Sequence, residues 1–366
     1  MKYWCIDISV SSTEQDYFVE QKLKLLEDNH YDAIILFAQS EGHFEPIVKT
    51  YPKILEIAEK KNIKIYPIVG SDASSNYPPN EFKEDNIELI NWSTNFFRET
   101  LFQYTKNDIF DVNLINDLDS LKYKYHFVYL NANMRNHRCL LIDQISKHDL
   151  LKYSAYSWHN FSGMSSTSNI LLNRTTSPYN FRYYNGSTKI LDIGFSESRD
   201  QSTLPTEYYE SFFQLVSETC PRTKFITEKT VTPLLVGKPF LVAGAPGLHK
   251  LLKDLGFELY DELFDYSFDD IVDTAHRFNK ICEIIKPITN LSLDQCRSLH
   301  SKIQDKIIHN RTRVVELAYD QNYIPQIVRG VIKQYDETNQ VLNRRLIDVE
   351  LQLRSIKRKI YELLDY

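Results

Sequence analysis

Short apolar runs alternate with amphipathic stretches through the first third of the chain. Residues 2–8 read as a strand, 14–27 as a helix, 33–37 as a second strand, 45–61 as a second helix and 63–69 as a third strand. Short apolar runs separated by helices of about ten residues or more are the mark of βαβ units and a parallel sheet. Residues 87–92 and then 96–104 add one further strand and helix. Residues 107–124 are polar, charged and weakly periodic, and a domain boundary is expected there.

A second series starts at Tyr125 with Tyr-His-Phe-Val-Tyr-Leu. The pattern predicts a helix over 135–147, strands over 212–216 and 240–243, and helices over 227–236 and 248–255. Residues 153–196 are rich in Ser, Asn and Tyr and read as irregular with one or two short strands. From Asp269 the pattern is helical to the end. The tail carries the cleanest periodicity. Val328, Ile332, Tyr335, Asn339, Leu342, Leu346, Val349, Leu353, Ile356, Ile360 and Leu363 alternate by four and three. About five heptads of this kind predict a C-terminal coiled coil, with Asn339 at an a position fixing the register of a parallel homodimer. The alternative is a long amphipathic helix packed on its own domain. The expected organisation is α/β, with domains over 1–115 and 116–312 and a helical oligomerisation tail over 313–366.

A length of 366 residues agrees with roughly two to three domains. Hydrophobic residues at 42% and charged residues at 25% exclude wholesale disorder. The net charge of -6 argues against a protein held to nucleic acid by bulk charge. Nucleic acid is left only as an acceptor reached through a local basic face. The five cysteines are scattered, with no C-x-x-C, so neither a disulfide framework nor a zinc site is expected. A reducing compartment follows, the cytoplasm, or the host's if the source is viral. No apolar run approaches the length of a membrane span, and no signal peptide is expected. Of the 10 glycines, Gly237, Gly244, Gly247 and Gly256 share one segment. Such a cluster marks a run of βα turns or the close approach of a ligand.

Two constellations could carry chemistry. In Phe225-Ile226-Thr227-Glu228-Lys229-Thr230, Thr227 is placed to cap a helix, with Glu228 and Lys229 in its first turn. A cation is unfavourable there against the helix dipole, and an anionic ligand would account for it. The competing reading is a solvated Glu-Lys pair on a surface helix. The second constellation, Asn131-Ala132-Asn133-Met134-Arg135-Asn136-His137-Arg138, lies at the carboxyl end of an expected strand, where α/β folds bind ligands. The arginine fork suits phosphate oxygens. The competing reading is a polar loop with solvated arginines.

The order Ser-Glu-Thr at 217–219, Phe-Ile-Thr-Glu-Lys at 225–229 and Pro-Leu-Leu-Val-Gly-Lys-Pro-Phe-Leu at 233–241 resembles the donor-binding half of the α1,3-fucosyltransferase family, glycosyltransferase family 10. The Asn133 to Arg138 loop resembles the Ser-Asn…Arg loop that opens the same domain. Related glycosyltransferase-like proteins of phages and large viruses share both, with a Leu…Leu-Gly-Phe…Tyr run seen here at 252–260. The resemblance covers about residues 125–310. It implies a GT-B architecture, two Rossmann-like domains facing a cleft, and transfer from a nucleoside diphosphate sugar to a glycan or other hydroxyl acceptor. Carried over by position, it gives Glu228 the donor ribose and Lys229 and Arg135 the diphosphate. Arg138 assists, Glu218 lines the nucleotide site, and Asn133 and Thr227 complete the donor set. The chain departs from the family at Thr219, where fucosyltransferases carry Asn, and in lacking the aromatic-rich acceptor motif.

An inverting transferase needs a carboxylate base for the acceptor hydroxyl and positive charge on the departing diphosphate. Glu41, after the 33–37 strand, is the first candidate base, with Asp72 and Asp7 as alternatives and His43 as an acceptor contact. The resemblance implies protein cations in place of a metal, and no resident cofactor. Asp117-Leu118-Asp119 matches a GT-A metal signature but sits in the polar linker. Two other readings are a phage transferase acting on a modified DNA base and a GT-B-like protein that binds a nucleotide or glycan without turnover.

Overall fold

A computed structural model describes residues 2–7, 22–37, 52–69, 87–88, 90–91, 96–97, 100–101, 122–131, 135–158, 180–185, 187, 189, 191, 204–320, 322, 325–331 and 333–334. The fold is mixed α/β, built on two parallel four-stranded sheets.

The first sheet contains β1 (Tyr3–Asp7), β2 (Ala33–Phe37), β3 (Lys64–Val69) and β4 (Ile90–Asn91) in that spatial order. Residues 22–28 are helical, and α1 (Pro52–Lys61) links β2 to β3. Crossovers of one hand between strands added in sequence place their helices on one face. Leu23, Leu26, Ile54, Ile57 and Ala58 accordingly pack on Ile34, Leu36 and Ile65. Strand alternation turns Ala33, Ile35 and Ile68 to the opposite face. The helical residues 326–331 cover that face, with Val328 only 1% exposed and Ile327 and Val331 beside it. The Gln334 amide holds the edge strand. Tyr3 N–H donates to its Oε1 at 2.8 Å, and its Nε2 donates to the Tyr3 carbonyl at 3.1 Å.

Among the described residues the first sheet adds its strands in chain order, with no reversal between them. One sequence expectation changes here. Val328, expected in an intermolecular seam, packs inside its own chain. Its apolar stripe is answered by a sheet face that helices on the other side cannot reach. Positions 332 and 335–366 of the expected coiled coil lie outside the described residues.

The second sheet contains β5 (Tyr125–Asn131), β6 (Ser154–Trp158), β7 (Ser211–Ser217) and β8 (Phe240–Ala243) in the spatial order β6-β5-β7-β8. In chain order, α2 (Asn136–Lys147) follows β5 and α3 (Thr206–Tyr209) precedes β7. Then α4 (Glu228–Val236) follows β7 and α5 (Leu248–Asp254) follows β8. Three helices continue the chain: α6 (Thr274–Ile285), α7 (Leu293–Lys302) and α8 (Gln304–Tyr319). The core of this sheet crosses both expected boundaries. Phe96 meets Phe225 edge-on and Phe97 stacks on Phe257, each with ring centres 5.5 Å apart. Val314, Leu317 and Ala318 of α8 are buried in the same core.

The glycine cluster is mostly turns. Gly237 closes α4 with φ of 80°, a left-handed conformation that favours glycine. Gly244 is a close approach instead, since a Cβ there would lie 2.6 Å from Leu248 Cδ2. Among the described residues no helix is long and apolar enough to cross a membrane.

Candidate anion-binding site

The chain passes from β5 to β6 on one side, then returns to place β7 on the other. The crevice left at the carboxyl ends of β5 and β7 is where open α/β sheets hold ligands. Three segments meet there: residues 135–138 after β5, Glu218 and Thr219 after β7, and the start of α4.

Glu218 organises the junction. It is 0% exposed, and its carboxylate accepts four hydrogen bonds. Thr219 N–H and Thr227 Oγ1–H donate to Oε2 at 2.9 and 2.7 Å. Thr227 N–H and Thr230 Oγ1–H donate to Oε1 at 3.0 and 2.6 Å. Thr227 Oγ1 in turn accepts from Lys229 N–H at 3.3 Å, which makes Thr227 the helix cap. Glu218 was expected to line the nucleotide site. Its oxygens are filled, so it acts on the site by fixing where α4 begins. Thr227 is likewise buried beneath the site.

The cations sit around Thr219. Arg135 Nη1 donates to the Thr219 carbonyl at 2.9 Å, and Lys229 Nζ lies 3.5 Å from Thr219 Oγ1. Lys229 also pairs with Glu228, and both side chains keep partial solvent access. Burial pushes the Glu228 carboxyl up, but the Lys229 charge and hydrogen bonds from Lys229, the backbone and Thr227 outweigh it and hold it below the ordinary range. Arg138 is buried, and burial with the neighbouring Arg135 charge pushes its guanidinium down to about 10. His137 Nε2–H donates to the Glu218 carbonyl at 2.9 Å. Burial first, then Arg138, pushes that imidazole down to about 3, so it is neutral at pH 7. The arrangement brings two guanidiniums and an ammonium to the start of a capped helix, with one carboxylate, Glu228, left within their reach. That combination can neutralise a diphosphate and accept hydrogen bonds from a diol.

Of the sequence candidates, Arg135, Arg138, Glu218, Thr227, Glu228 and Lys229 gather here. Asn133, Glu41, Asp72, His43 and the Asp117/Asp119 pair lie outside the described residues. Asp7 is the last residue of β1. Sequence reasoning missed Arg277 on α6. Its guanidinium donates to the carbonyls of Gly244 at 3.1 Å, Val272 at 3.0 Å and Pro221 at 2.9 Å, tying together the loops after β7 and β8. The signal was an arginine on an apolar stripe with Phe278, Ile281 and Ile285. Also missed was the buried pair in which Asp269 Oδ1 accepts from His249 Nδ1–H at 2.9 Å, anchoring α5.

No family model and no curated protein matches the chain. Among solved structures it is similar to a crystal structure of an alpha1,3-fucosyltransferase, at 11% identity over 88% of this chain and 92% of that one, with a TM-score of 0.34. A likeness at that score settles neither fold family nor activity.

Proposed function

We propose that the chain is a nucleotide-sugar-dependent glycosyltransferase of GT-B type, inverting and metal-independent. The observation that carries the reading is the convergence of Arg135, Arg138 and Lys229 with the capped start of α4 at the β5/β7 switch point. The sequence resemblance to the α1,3-fucosyltransferase family supports reading the bound anion as the diphosphate of a sugar donor. In this reading the three cations stabilise charge developing on the leaving diphosphate, and Glu228 accepts from the ribose. The general base comes from the N-terminal region, Glu41 first and Asp72 second. The acceptor hydroxyl loses its proton to that carboxylate as its oxygen attacks the anomeric carbon, and the diphosphate departs with the electron pair of the broken bond. The tail beyond residue 334 remains a proposed homodimer contact.

The test is release of nucleoside diphosphate from a panel of nucleotide sugars by the purified chain, with and without EDTA. Turnover that survives chelation is expected. Loss of activity in EDTA restored by Mn²⁺ would overturn metal independence. Tight nucleotide binding with no turnover on any acceptor, a modified DNA base included, would replace the transferase with a binding protein.

A further inference from the structure

Three neighbouring strands of the second sheet end in polar residues: Trp158 closes β6, Asn131 closes β5 and Ser217 closes β7. Asn131 is the ladder partner of Trp158. The β5–β7 register pairs Val128 with Gln214, and the same offset continued to the strand ends brings Asn131 level with Ser217, both near the Tyr129 hydroxyl. Partners in a parallel ladder point to the same face, so the three side chains form one row along the carboxyl edge, across the point where strand order reverses. Trp158 is 1% exposed, Ser217 3% and Asn131 4%. Yet Trp158 Nε1, Asn131 Oδ1 and Nδ2, and Ser217 Oγ make no hydrogen bond of ordinary geometry, the Tyr129 hydroxyl being in looser reach of Asn131 and Ser217. Orphaned buried polar atoms are few in native proteins because each forfeits its hydration, so a row of them calls for a common partner.

Tyr129 shares the face and brings its hydroxyl beside Asn131 and Ser217. That hydroxyl donates to the Arg138 carbonyl at 3.4 Å, which leaves it able to accept but with no proton to offer. It cannot serve Asn131 Oδ1. The row presents donors and acceptors together: indole and amide N–H donate, the amide oxygen accepts, and the serine hydroxyl does both. Phosphate offers acceptors alone and would leave Asn131 Oδ1 unmet. A nucleobase edge also carries both donors and acceptors, but the Trp158 ring is held edge-to-face by Phe181 at 6.1 Å and Tyr184 at 5.9 Å and offers the base no stacking platform beside the row. Sugar hydroxyls, each both donor and acceptor, match the row.

We infer that Trp158, Asn131 and Ser217 form a hydroxyl-binding subsite for the sugar portion of the ligand whose phosphates Arg135, Arg138 and Lys229 hold. The inference rests on the donor-site reading above. Titration calorimetry on the full chain tests it with Asn131→Leu and Ser217→Ala. The probes are inorganic pyrophosphate, the four ribonucleoside diphosphates ADP, GDP, CDP and UDP, and their hexose esters. Pyrophosphate affinity should stay within about twofold of wild type, while hydroxyl-bearing ligands weaken by about tenfold or more. Equal loss with all four nucleoside diphosphates assigns the row to the ribose, loss seen only with the esters assigns it to the transferred sugar, and loss confined to one base overturns the sugar subsite in favour of a base contact. Equal weakening of pyrophosphate overturns the subsite, as does unchanged affinity for every probe. A wild-type chain that binds none of them overturns the donor reading and the subsite together. If Asn131→Leu fails to fold, Ser217→Ala, which removes a single oxygen, carries the same comparison.

Discussion

The two sheets are built from the same alternation of strand and helix, yet among the described residues only the second gathers a site. The first adds its strands in sequence, β1-β2-β3-β4, and its helices pack on one face. Its other face stays apolar and takes a cover from residues 326–331. The second starts at β5, goes to β6, and returns to β7, so the connections after β5 and β7 run to opposite edges of the sheet and leave a crevice at their start. There the polar side chains stand: a saturated Glu218, three cations and a row of unmet hydrogen-bond groups. One reversal of strand order separates a scaffold from a binding crevice.

Acid should separate the two regions most strongly. The buried histidines among the described residues, His126, His137, His249 and His300, all belong to the second region. His137 and His300 are each pushed down to about 3 by burial, with Arg138 and Lys238 respectively adding to it. Unfolded histidine binds a proton below about 6.5. Between 6.5 and 3 the unfolded state therefore holds more protons than the native state, and stability falls as pH falls. The slope reaches about 1.4 kcal/mol per pH unit for each group. Hydrogen exchange at pH 7 and pH 4.5 should show β5, β7 and α7 losing protection while β2 and β3 keep theirs. His300→Gln should flatten the slope. Equal loss in both sheets would break the comparison and make them one cooperative unit, welded through Phe97 and Val328.

Within the second region, Glu218 and Lys229 should divide into support and chemistry. Glu218→Ala strands the Thr219 and Thr227 N–H groups and two threonine hydroxyls. A loss on the order of 3–5 kcal/mol in urea unfolding is expected, with turnover lost as a consequence. Lys229→Ala removes a partly exposed cation from the surface of the same junction. Its urea midpoint should stay near wild type while kcat/KM falls roughly ten- to hundredfold, about 1.5–3 kcal/mol of transition-state stabilisation. A Lys229→Ala protein with wild-type turnover would remove the lysine from the site, and a stable, active Glu218→Ala protein would undo the junction.

Most elements of both sheets were legible in the sequence, β6 excepted because Ser154–Trp158 opens a stretch that reads as irregular, but their order was not. Ala33–Phe37 and Phe240–Ala243 appear with the expected bounds, and Thr227 caps α4 as its position before Glu228 suggested. Apolar period and capping are local properties. Strand order is set by which sheet edge a returning chain can reach, which a run of apolar residues does not encode. Glu218 shows the same limit for the site. Its residue type pointed to a ligand, and only its four hydrogen bonds, from three threonines up to twelve residues away, show that it is consumed internally. Trp158 gave no signal and Ser217 entered only as the first residue of the Ser-Glu-Thr run, since an apolar-looking strand end and a common serine become notable as a pair only when both are buried in one row.

The smallest effect expected concerns the cover on the first sheet. Val328 is the first position of the heptad pattern and is buried on Ala33, Ile35 and Ile68. Val328→Ala removes about two methylene equivalents from that contact, roughly 1–2 kcal/mol after partial relaxation. If the residue belongs to the sheet cover, the loss should appear as a lower urea midpoint that does not depend on protein concentration. Amides of β1 and β2 should lose protection first, because Gln334 holds the Tyr3 edge through the same segment. If the residue instead faced a second copy, the loss would appear as weaker association in light scattering, growing on dilution, with the first sheet unchanged. Asn339→Ile gives the complementary arm. It lies beyond the covering segment in the chain, so under the proposed coiled coil, where an Asn at an a position fixes register, it should leave the unfolding of the first sheet unaltered and act only on the oligomeric state.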